Sequence, residues 1–410
     1  MSAGSSVVES ELVPGAHGRV AFPRVLVVTG TAGHGHLKAA QAVAEALRAR
    51  HPTIDVGELD ALDRMPRWYT RAYRDGYLWM VDKAPILWRH FYAKNDADPT
   101  ALGHFLTVRA GAKLVRGILA WKPDLVVCTH FLAPELLAPA IRRGEAKFPL
   151  HVVVTDHDCH RVWWHPEIEA YYVSSDLVRA RISYRFGVPL ERIHVTGIPI
   201  AAAFGAKRDV SAIRPRLGLD PARPTVLFLS GGFAAGPFAQ AILGIWGDRP
   251  DVQIVAVCGK NARLARRLAA LPRPENGRLE VLGFRDDVPD LMVVADVVVG
   301  KSGGLTTSEA MAMGKPFVMS AAIPGQEERN ADAVLTAGAG VKAPTPEEVR
   351  WQVVRLLGRP DELHAMAVKA KAFGRPRAAA DIADRIAERV GLTPITASPA
   401  FHGARRTASS

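Results

Sequence analysis

The stretch that decides the fold is Val25–His36, which reads VLVVTGTAGHGH. Its first four residues form a short apolar run typical of a buried parallel strand, and the glycines that follow indicate a tight turn. Apolar residues then recur at helical spacing, at Leu37, Ala40, Ala44 and Leu47. A strand that leads through a glycine-rich turn into a helix is the unit of a doubly wound α/β sheet, which binds ligands at this edge. We therefore expect a ligand site near His36.

Short β-branched runs alternate with helical patterns along the rest of the chain, as expected for parallel sheets. The strands predicted in the first half are 24–29, 124–129, 150–155, 170–173 and 193–195, and those in the second half are 225–230, 252–258, 279–282, 295–300 and 316–320. Each series opens with a strand that enters a glycine-rich turn, at 30–35 and at 231–236. The sequence therefore predicts an α/β protein with two similar doubly wound domains.

The junction between the domains is expected at Gly197–Ile200, GIPI, where two helix breakers follow the last strand of the first half. We divide the chain into a leader at residues 1–20, an N-terminal domain at 21–200, a C-terminal domain at 201–392 and a tail at 393–410. The compositions of the leader and the tail predict disorder. A ligand cleft is expected between the two domains.

Composition excludes several classes of protein. The chain has 410 residues, 48% of them apolar and 23% charged, which excludes a wholly disordered protein. Its three cysteines are far apart and predict neither a disulfide framework nor a structural zinc cluster, so a reducing cytosol is expected. No uncharged apolar run reaches the roughly 18–20 residues needed to span a bilayer. The net charge of +11 calls for an anionic partner: a lipid surface, a small anion or nucleic acid.

His36 is the first candidate for chemistry. The sequence places it near a helix N-terminus, where the helix dipole disfavours a second positive charge and keeps imidazole neutral. A neutral histidine can accept a proton, so His36 is a candidate general base for a hydroxyl group. The alternative is that His34 and His36 only cap the helix or form a polar wall of the cleft.

A second candidate site lies in residues 298–316, VVGKSGGLTTSEAMAMGKP. A strand ends at Lys301, glycines make a turn, and a helix is predicted over 306–313, so backbone amides and a lysine face one point and suit an anion. Glu309 on that helix could accept bonds from two vicinal hydroxyls. The polar loop 323–330 suits sugar hydroxyls, and the glycine turn at 231–236 suits a phosphate unless its glycines serve packing only.

Together these motifs resemble the monogalactosyldiacylglycerol synthase and processive diacylglycerol glucosyltransferase family, whose members are GT-B enzymes similar to the GlcNAc transferase of peptidoglycan synthesis. The resemblance spans residues 25–341 in the family's order. Its motifs are Gly33-x-Gly35-His36, 155–160 with 163–166, Ser230–Gly232, Cys258–Asn261, Gly283–Phe284, 301–310 and 324–330. It implies two facing Rossmann-like domains with a UDP-sugar site in the C-terminal one.

The resemblance also implies roles for individual residues. Phe284 would lie by the uracil, Glu309 on the ribose, Gly304, Leu305 and Thr306 at the diphosphate, and Gln326 and Glu327 near the sugar. The full set of expected donor-binding residues is Gly231, Gly232, Phe284, Lys301, Gly303, Gly304, Leu305, Thr306, Glu309, Gln326, Glu327 and Asn330. The acceptor is expected to contact Gly33, Gly35, Asp156, His160 and Trp163, with His36 as the catalytic residue.

One departure from the family concerns the base. Some members have an acidic residue in the first glycine loop, where this sequence has Thr31, so Asp156 and Asp158 remain alternatives to His36. The family usually inverts the anomeric centre and needs no metal or other cofactor, because helix N-termini and Lys301 can stabilise the leaving UDP. A zinc site at His157, His160 and His165 is the competing interpretation of the histidines.

Residues 61–122 carry a basic and aromatic stretch. It holds eleven Lys and Arg against five Asp, more than half of the net charge, and ten aromatic residues. Basic side chains mixed with Trp and Tyr suit an anionic membrane surface. The alternative is that the aromatics build the N-terminal core and the arginines are solvated. Nucleic-acid binding is disfavoured because no RRM, KH or helix-turn-helix pattern accompanies these residues.

The sequence thus predicts an inverting, metal-independent glycosyltransferase that moves a hexose from a UDP-sugar to a lipid hydroxyl, with diacylglycerol expected as acceptor. It is expected in the cytoplasm, at the inner face of the plasma membrane. Two alternatives keep an enzyme: a UDP-GlcNAc transferase acting on another lipid, or a UDP-GlcNAc 2-epimerase-like enzyme. The third is a non-catalytic protein that binds UDP-sugar or lipid.

Overall fold

A computed structural model describes residues 22–392, apart from residue 32, most of 85–100, and the segments 231–237 and 321–324. The expected leader at 1–20 and the tail at 393–410 lie outside the described residues, as do Gly231 and Gly232. Within the described part the chain forms two parallel sheets of six strands each, with helices around them.

The strands of the first sheet follow the order β2-β1-β3-β4-β5-β6 and those of the second the order β12-β11-β10-β7-β8-β9. The first six strands are β1 Arg24–Thr29, β2 Asp55–Asp60, β3 Leu125–Cys128, β4 Leu150–Val153, β5 Ile168–Val173 and β6 Ile193–Val195. The second six are β7 Thr225–Leu229, β8 Gln253–Val257, β9 Arg278–Leu282, β10 Val297–Gly300, β11 Phe317–Met319 and β12 Gly340–Lys342. The predicted α/β class with two Rossmann-like halves is confirmed.

The described α-helices divide between the two halves of the chain. Those of the first half are His34–Arg50, Arg67–Lys83, Ala101–Ala110, Ala112–Trp121, Leu132–Arg142 and Asp176–Phe186. Those of the second half are Val210–Arg216, Phe238–Asp248, Ala262–Ala269, Val288–Val294, Gly304–Ala312, Gln326–Ala337, Pro346–Leu357, Pro360–Phe373 and Ala378–Arg389.

Each sheet has a point where the direction of winding reverses. In the first sheet β1 lies between β2 and β3, and in the second β7 lies between β8 and β10. Ligands of doubly wound folds bind at the carboxyl ends of the strands beside such a reversal. The first glycine loop follows β1 and Lys301 follows β10, so the fold brings both predicted sites to these positions.

The last helix does not pack with the domain to which sequence order assigns it. Within the expected domain of residues 201–392, helix Ala378–Arg389 buries Ile382, Ala383, Ile386 and Ala387 against β1, β3 and helix His34–Arg50 of the first half. Its apolar face matches the N-terminal sheet, and Arg50 and His51 both contact Asp384. The chain therefore crosses between the domains twice.

The aromatic residues of the 61–122 stretch divide between core and surface. Tyr69 and Trp121 lie in the N-terminal core, whereas Trp68, Trp79 and Phe105 are 60%, 58% and 61% exposed. The core interpretation therefore holds for Tyr69 and Trp121, and the exposed aromatic side chains leave the membrane interpretation as a prediction. Among the described residues no helix is long and apolar enough to cross a bilayer.

Candidate functional site

His36 lies in the first turn of helix His34–Arg50, at the carboxyl edge of the first sheet. Its Nδ1 atom is 3.0 Å from the carbonyl oxygen of Thr129 and 2.8 Å from the hydroxyl of Thr155. Thr129 in turn donates its hydroxyl to the carbonyl oxygen of His36 at 3.0 Å. Thr129 follows β3 and Thr155 follows β4 closely, so adjacent strand ends supply both contacts.

The surroundings of His36 keep its ring neutral. Burial lowers the pKa of His36, while the nearby carboxylate of Asp156 acts in the opposite direction. The ring of His130 meets it edge-on at 4.6 Å between centroids, and burial together with His36 holds the pKa of His130 well below its usual range. The buried Trp163 lies 6.2 Å away. A neutral imidazole beside an acid suits proton transfer, as predicted for His36.

Asp156 joins the predicted acceptor and donor residues. Gln326 donates its amide to both carboxylate oxygens of Asp156, at 2.8 and 2.9 Å, and the amide of Asn330 donates to one of them at 3.1 Å. Burial raises the pKa of Asp156, and these bonds act against that rise. Residues from the two domains that sequence reasoning assigned to different substrates thus bind one another.

The neighbouring residues of this segment also reach the C-terminal domain. The backbone N–H of His157 donates to Asn330 at 2.7 Å, and its Nε2 lies 3.4 Å from the hydroxyl of Ser308. The two oxygens of Asp158 form ion pairs with Arg181 at 2.6 Å and Arg329 at 3.0 Å. Both carboxylate oxygens of Asp158 are thus occupied by guanidinium groups, which favours His36 over Asp158 as the base.

His160 serves a local structural role. Its Nδ1 accepts the backbone N–H of Val162 at 3.2 Å and so caps the short turn Arg161–Trp163. Within the described part of the chain, no three His, Cys, Asp or Glu side chains form a group that could hold a metal ion. That statement covers the zinc set considered above, His157, His160 and His165.

The donor side is built on helix Gly304–Ala312, which begins two residues earlier than predicted. Gly303 precedes it without a side-chain cap, which leaves the first backbone N–H groups of the helix, three residues after Lys301, suited to an anion. A Cβ atom on Gly304 would lie 2.1 Å from the carbonyl oxygen of Thr155, and one on Gly35 would lie 3.8 Å from Leu305. The two domains are therefore in contact at this helix end.

Glu309 lies near Lys38 of the opposite domain. Burial raises the pKa of Glu309 to about 8, while Lys38 from helix His34–Arg50 acts against the rise. His34 has a pKa lowered by burial and by Lys260 and Lys38. A cluster of cationic groups next to an uncapped helix end is suited to a diphosphate.

Other predicted donor residues lie on the helix that begins at Gln326 and beyond the end of β9. The hydroxyl of Ser302 donates to the backbone oxygen of Glu327 at 2.7 Å, which ties the 301–304 turn to the helix that begins at Gln326. Phe284 lies just beyond the end of β9 and is 54% exposed. Its ring is open to stacking by a base, as the resemblance implies.

Sequence reasoning missed three residues of the site: Thr129, Thr155 as a partner of His36, and Asp60. Asp60 accepts the backbone N–H and the hydroxyl of Thr31 and the backbone N–H of Leu62. A carboxylate thus reaches the first glycine loop even though Thr31 replaces the acid in the loop itself. Their position in the sequence could have identified them, because all three residues lie at or just beyond the carboxyl end of a strand.

Comparisons with known proteins agree with this geometry. Residues 36–200 match the monogalactosyldiacylglycerol (MGDG) synthase family, and residues 233–359 match the glycosyl transferases group 1 family. A processive diacylglycerol beta-glucosyltransferase of Bacillus subtilis (strain 168) is 28% identical over 85% of this chain and 90% of its own. The enzyme of the same name from Bacillus thuringiensis (strain Al Hakam) is 29% identical over 91% and 95%.

Solved structures show the same fold. MurG of Acinetobacter baumannii superposes with a TM-score of 0.60 at 18% identity, over 89% of this chain and 99% of its own. MnaA of S. aureus, solved with UDP, superposes with a TM-score of 0.59 at 14% identity, over 90% and 97%. With two successive family matches, full-length relatives and this fold, the chain resembles the monogalactosyldiacylglycerol synthase and processive diacylglycerol glucosyltransferase family over most of its length and is a glycosyltransferase with the GT-B fold.

Proposed function

We propose that the chain transfers a hexose from a UDP-sugar to the free hydroxyl of diacylglycerol at a membrane surface, with inversion at the anomeric carbon and without a metal ion. The observation that carries the proposal is the position of His36, a neutral histidine on the acceptor side that faces an uncapped helix end on the donor side. The names of the bacterial relatives support the lipid and the hexose.

His36 acts on the acceptor in this proposal. Its Nε2 removes the proton of the lipid hydroxyl while that oxygen attacks the anomeric carbon of the sugar, and the bond from this carbon to the β-phosphate oxygen breaks. The electron pair of that bond leaves with UDP. Attack from the face opposite the leaving group inverts the anomeric centre. The resulting imidazolium lies near Asp156, whose negative charge stabilises it.

The C-terminal domain stabilises the leaving group. Negative charge builds up on the diphosphate as the bond breaks, and the first N–H groups of helix Gly304–Ala312, with Lys301, offer positive charge at that point. These groups supply the stabilisation that a divalent cation provides in metal-dependent transferases.

In this proposal the exposed side chains of the 61–122 stretch contact the membrane surface. Trp68 and Trp79 are eleven residues apart on helix Arg67–Lys83, close to three full turns, so they lie on one face. Arg64, Arg67 and Arg71 are exposed beside them. Tryptophan at the lipid headgroups and arginine on anionic lipid together suit a peripheral membrane protein.

The experiment presents the purified protein with anionic liposomes containing diacylglycerol and, in turn, UDP-glucose, UDP-galactose and UDP-GlcNAc. We expect UDP release matched by β-linked hexosyl lipid, in the presence and absence of a chelator. Glycolipid formed from UDP-GlcNAc alone would identify an N-acetylglucosaminyl transferase. Conversion of UDP-GlcNAc to its 2-epimer would identify an epimerase, and UDP binding without any product would identify a binding protein. Each of these three results contradicts the proposal.

The change His36→Ala tests the role of the base. Loss of a positioned general base lowers the transfer rate by roughly 100-fold or more. Affinity for UDP should stay within a factor of two, measured by calorimetry, because His36 lies on the acceptor side. The matched control is His364→Ala, an exposed histidine on helix Pro360–Phe373. Equal turnover by both variants would refute His36 as the base.

A further inference from the structure

Thr155 touches both halves of the site through two different atoms. Its hydroxyl oxygen lies 2.8 Å from Nδ1 of His36, in the N-terminal domain. Its carbonyl oxygen lies against Gly304 of the C-terminal domain, where an added Cβ would come within 2.1 Å. Thr155 itself is 7% exposed and is held between them. A single residue thus contacts the proton-accepting ring and the donor-side helix.

The contacts of His36 fix its tautomer. A carbonyl oxygen can only accept a hydrogen bond, so the 3.0 Å contact with Thr129 requires the proton to be on Nδ1. The hydroxyl of Thr155 accepts from the same Nδ1–H. Among the described residues none forms a hydrogen bond with Nε2. The lone pair of Nε2 is therefore the one left for a substrate proton.

The contact with Gly304 depends on the absence of a side chain there. Gly304 is the first residue of an α-helix, a position where alanine is otherwise well tolerated. A Cβ would nevertheless overlap a backbone oxygen, which cannot rotate away, so the helix end or Thr155 would have to move. Gly303, one residue earlier, has room, because its nearest atom would be 4.0 Å away on the side chain of Glu327.

We infer that Thr155 is a positioning residue that couples the donor-side helix to His36. The contact of Gly304 with the carbonyl oxygen of Thr155 holds the Thr155 hydroxyl where it accepts from Nδ1–H of His36 and orients the ring. Nε2 of His36 then faces the acceptor when the domains are together. This inference rests on the proposed function, and it deepens it. The coupling ensures that the base is oriented when the diphosphate-binding helix end is in place.

The first test removes the hydroxyl. In Thr155→Val, which keeps the shape of the side chain, we expect kcat to fall by about tenfold, the effect of one lost hydrogen bond. The KM for the donor should stay within a factor of two. Thr155→Ser should recover most of the activity. Thr225→Val is the matched control, because its buried hydroxyl contacts Gln253 in the other domain, away from the cleft.

A spectroscopic readout accompanies the kinetics. Nitrogen-15 NMR of labelled histidine, with the His36 signals assigned by their loss in His36→Ala, reports which ring nitrogen is protonated. We expect an Nδ1–H form in the wild type, a shifted Nδ1 signal in Thr155→Val, where the bond to the carbonyl oxygen of Thr129 still keeps the proton on Nδ1, and the wild-type pattern in Thr155→Ser. The pH titration of these signals is compared across the variants, since His130 and Asp156 also face the ring.

The second test displaces the first turn of helix Gly304–Ala312 by a substitution and leaves Thr155 and His36 unchanged. We expect Gly304→Ala to shift the Nδ1 signal of His36 in the absence of any donor, and Gly303→Ala to leave it in place. An unchanged Nδ1 signal of His36 in both Thr155→Val and Gly304→Ala, with both variants folded by circular dichroism, would overturn the coupling. Loss of hexosyl transfer in the wild type with the NMR pattern as expected would instead refute the proposed function and leave the coupling intact.

Discussion

At the scale of single residues, the site depends on contacts that the residue types alone do not predict. Gln326 is predicted near the sugar and Asn330 among the donor-binding residues, and both donate to the buried carboxylate of Asp156. Asp156 needs these donors because burial disfavours its charge. An incoming sugar that takes hydrogen bonds from Gln326 would therefore change the electrostatics of the acceptor side as well.

Glu309 gives a prediction that depends on pH. Its pKa of about 8 means that the carboxyl group is mostly protonated at neutral pH, whereas two ribose hydroxyls are best accepted by a carboxylate. The binding-competent fraction rises as the pH passes through this pKa, so the affinity for UDP should increase by about tenfold from pH 7 to pH 9. Calorimetric titration at the two pH values measures the change.

The control for this prediction is Glu309→Gln, which cannot ionise and should bind UDP with the same affinity at both pH values. His34 is present in both proteins, so its own titration cancels in the comparison. An equal pH dependence in the wild type and the variant would show that Glu309 does not carry it.

At the scale of elements, the sequence predicted ten of the twelve strands to within two residues, because their apolar runs are continuous. It missed β2 and β12, and each lies at an edge of its sheet. β2 reads DVGELD and none of its residues is fully buried, so no apolar run identifies it. β12 has only three residues. Edge strands lack the two-sided burial on which such predictions depend.

Helix Arg67–Lys83 gives the prediction for membrane binding. Changing Trp68 and Trp79 together to serine removes two exposed apolar groups, and we expect partitioning onto anionic liposomes to weaken by roughly tenfold or more. Co-sedimentation at constant ionic strength measures it. Because both side chains are exposed, the thermal midpoint should change little.

The matched control is Trp351→Ser, since Trp351 is 59% exposed on helix Pro346–Leu357 of the other domain. It should leave liposome binding as in the wild type. If Trp351→Ser weakens binding as much as the double change does, the membrane-facing surface is not the one carried by helix Arg67–Lys83.

At the scale of the whole molecule, the last helix of the described chain follows the C-terminal domain in sequence but packs on the N-terminal domain in space. The helical pattern around residues 381–387 was predicted correctly, but its place against the N-terminal sheet depends on contacts more than 300 residues apart along the chain. Local patterns carry no information on such pairings. For the same reason the motifs assign residues to each half of the predicted site but carry no information on the bonds that join Asp156 to Gln326 and Asn330.

The contact of the last helix with the first predicts a pH-dependent stability. Asp384 binds Arg50 and His51, and although burial acts to raise its pKa, these two partners hold it below the ordinary value. Stability from this group is therefore present above the usual pKa of an aspartate and is lost as the pH falls through the lowered one. Asp384→Asn should cost about 1–3 kcal/mol at pH 7.

Thermal midpoints of the wild type and Asp384→Asn at pH 7 and at strongly acidic pH measure this effect. We expect the difference between the two proteins to shrink as the pH falls. The nearby ion pair of Glu169 and Arg389 is present in both proteins, so its contribution to the thermal midpoint cancels in the difference. A difference that stays constant with pH would contradict the assignment of the effect to ionised Asp384.

The two chain crossings meet at one point. Gly197, with a φ of +93°, lies so close to the second crossing that a Cβ there would be 2.4 Å from the Cβ of Arg375. The chain enters the C-terminal domain and returns from it at the same place, and both ends of the described chain sit on one domain. A dye pair placed at Phe22 and Leu392, the two ends of the described chain, would consequently report on the N-terminal domain alone and would not measure the separation of the two domains. A dye pair on helices His34–Arg50 and Pro346–Leu357 would follow it.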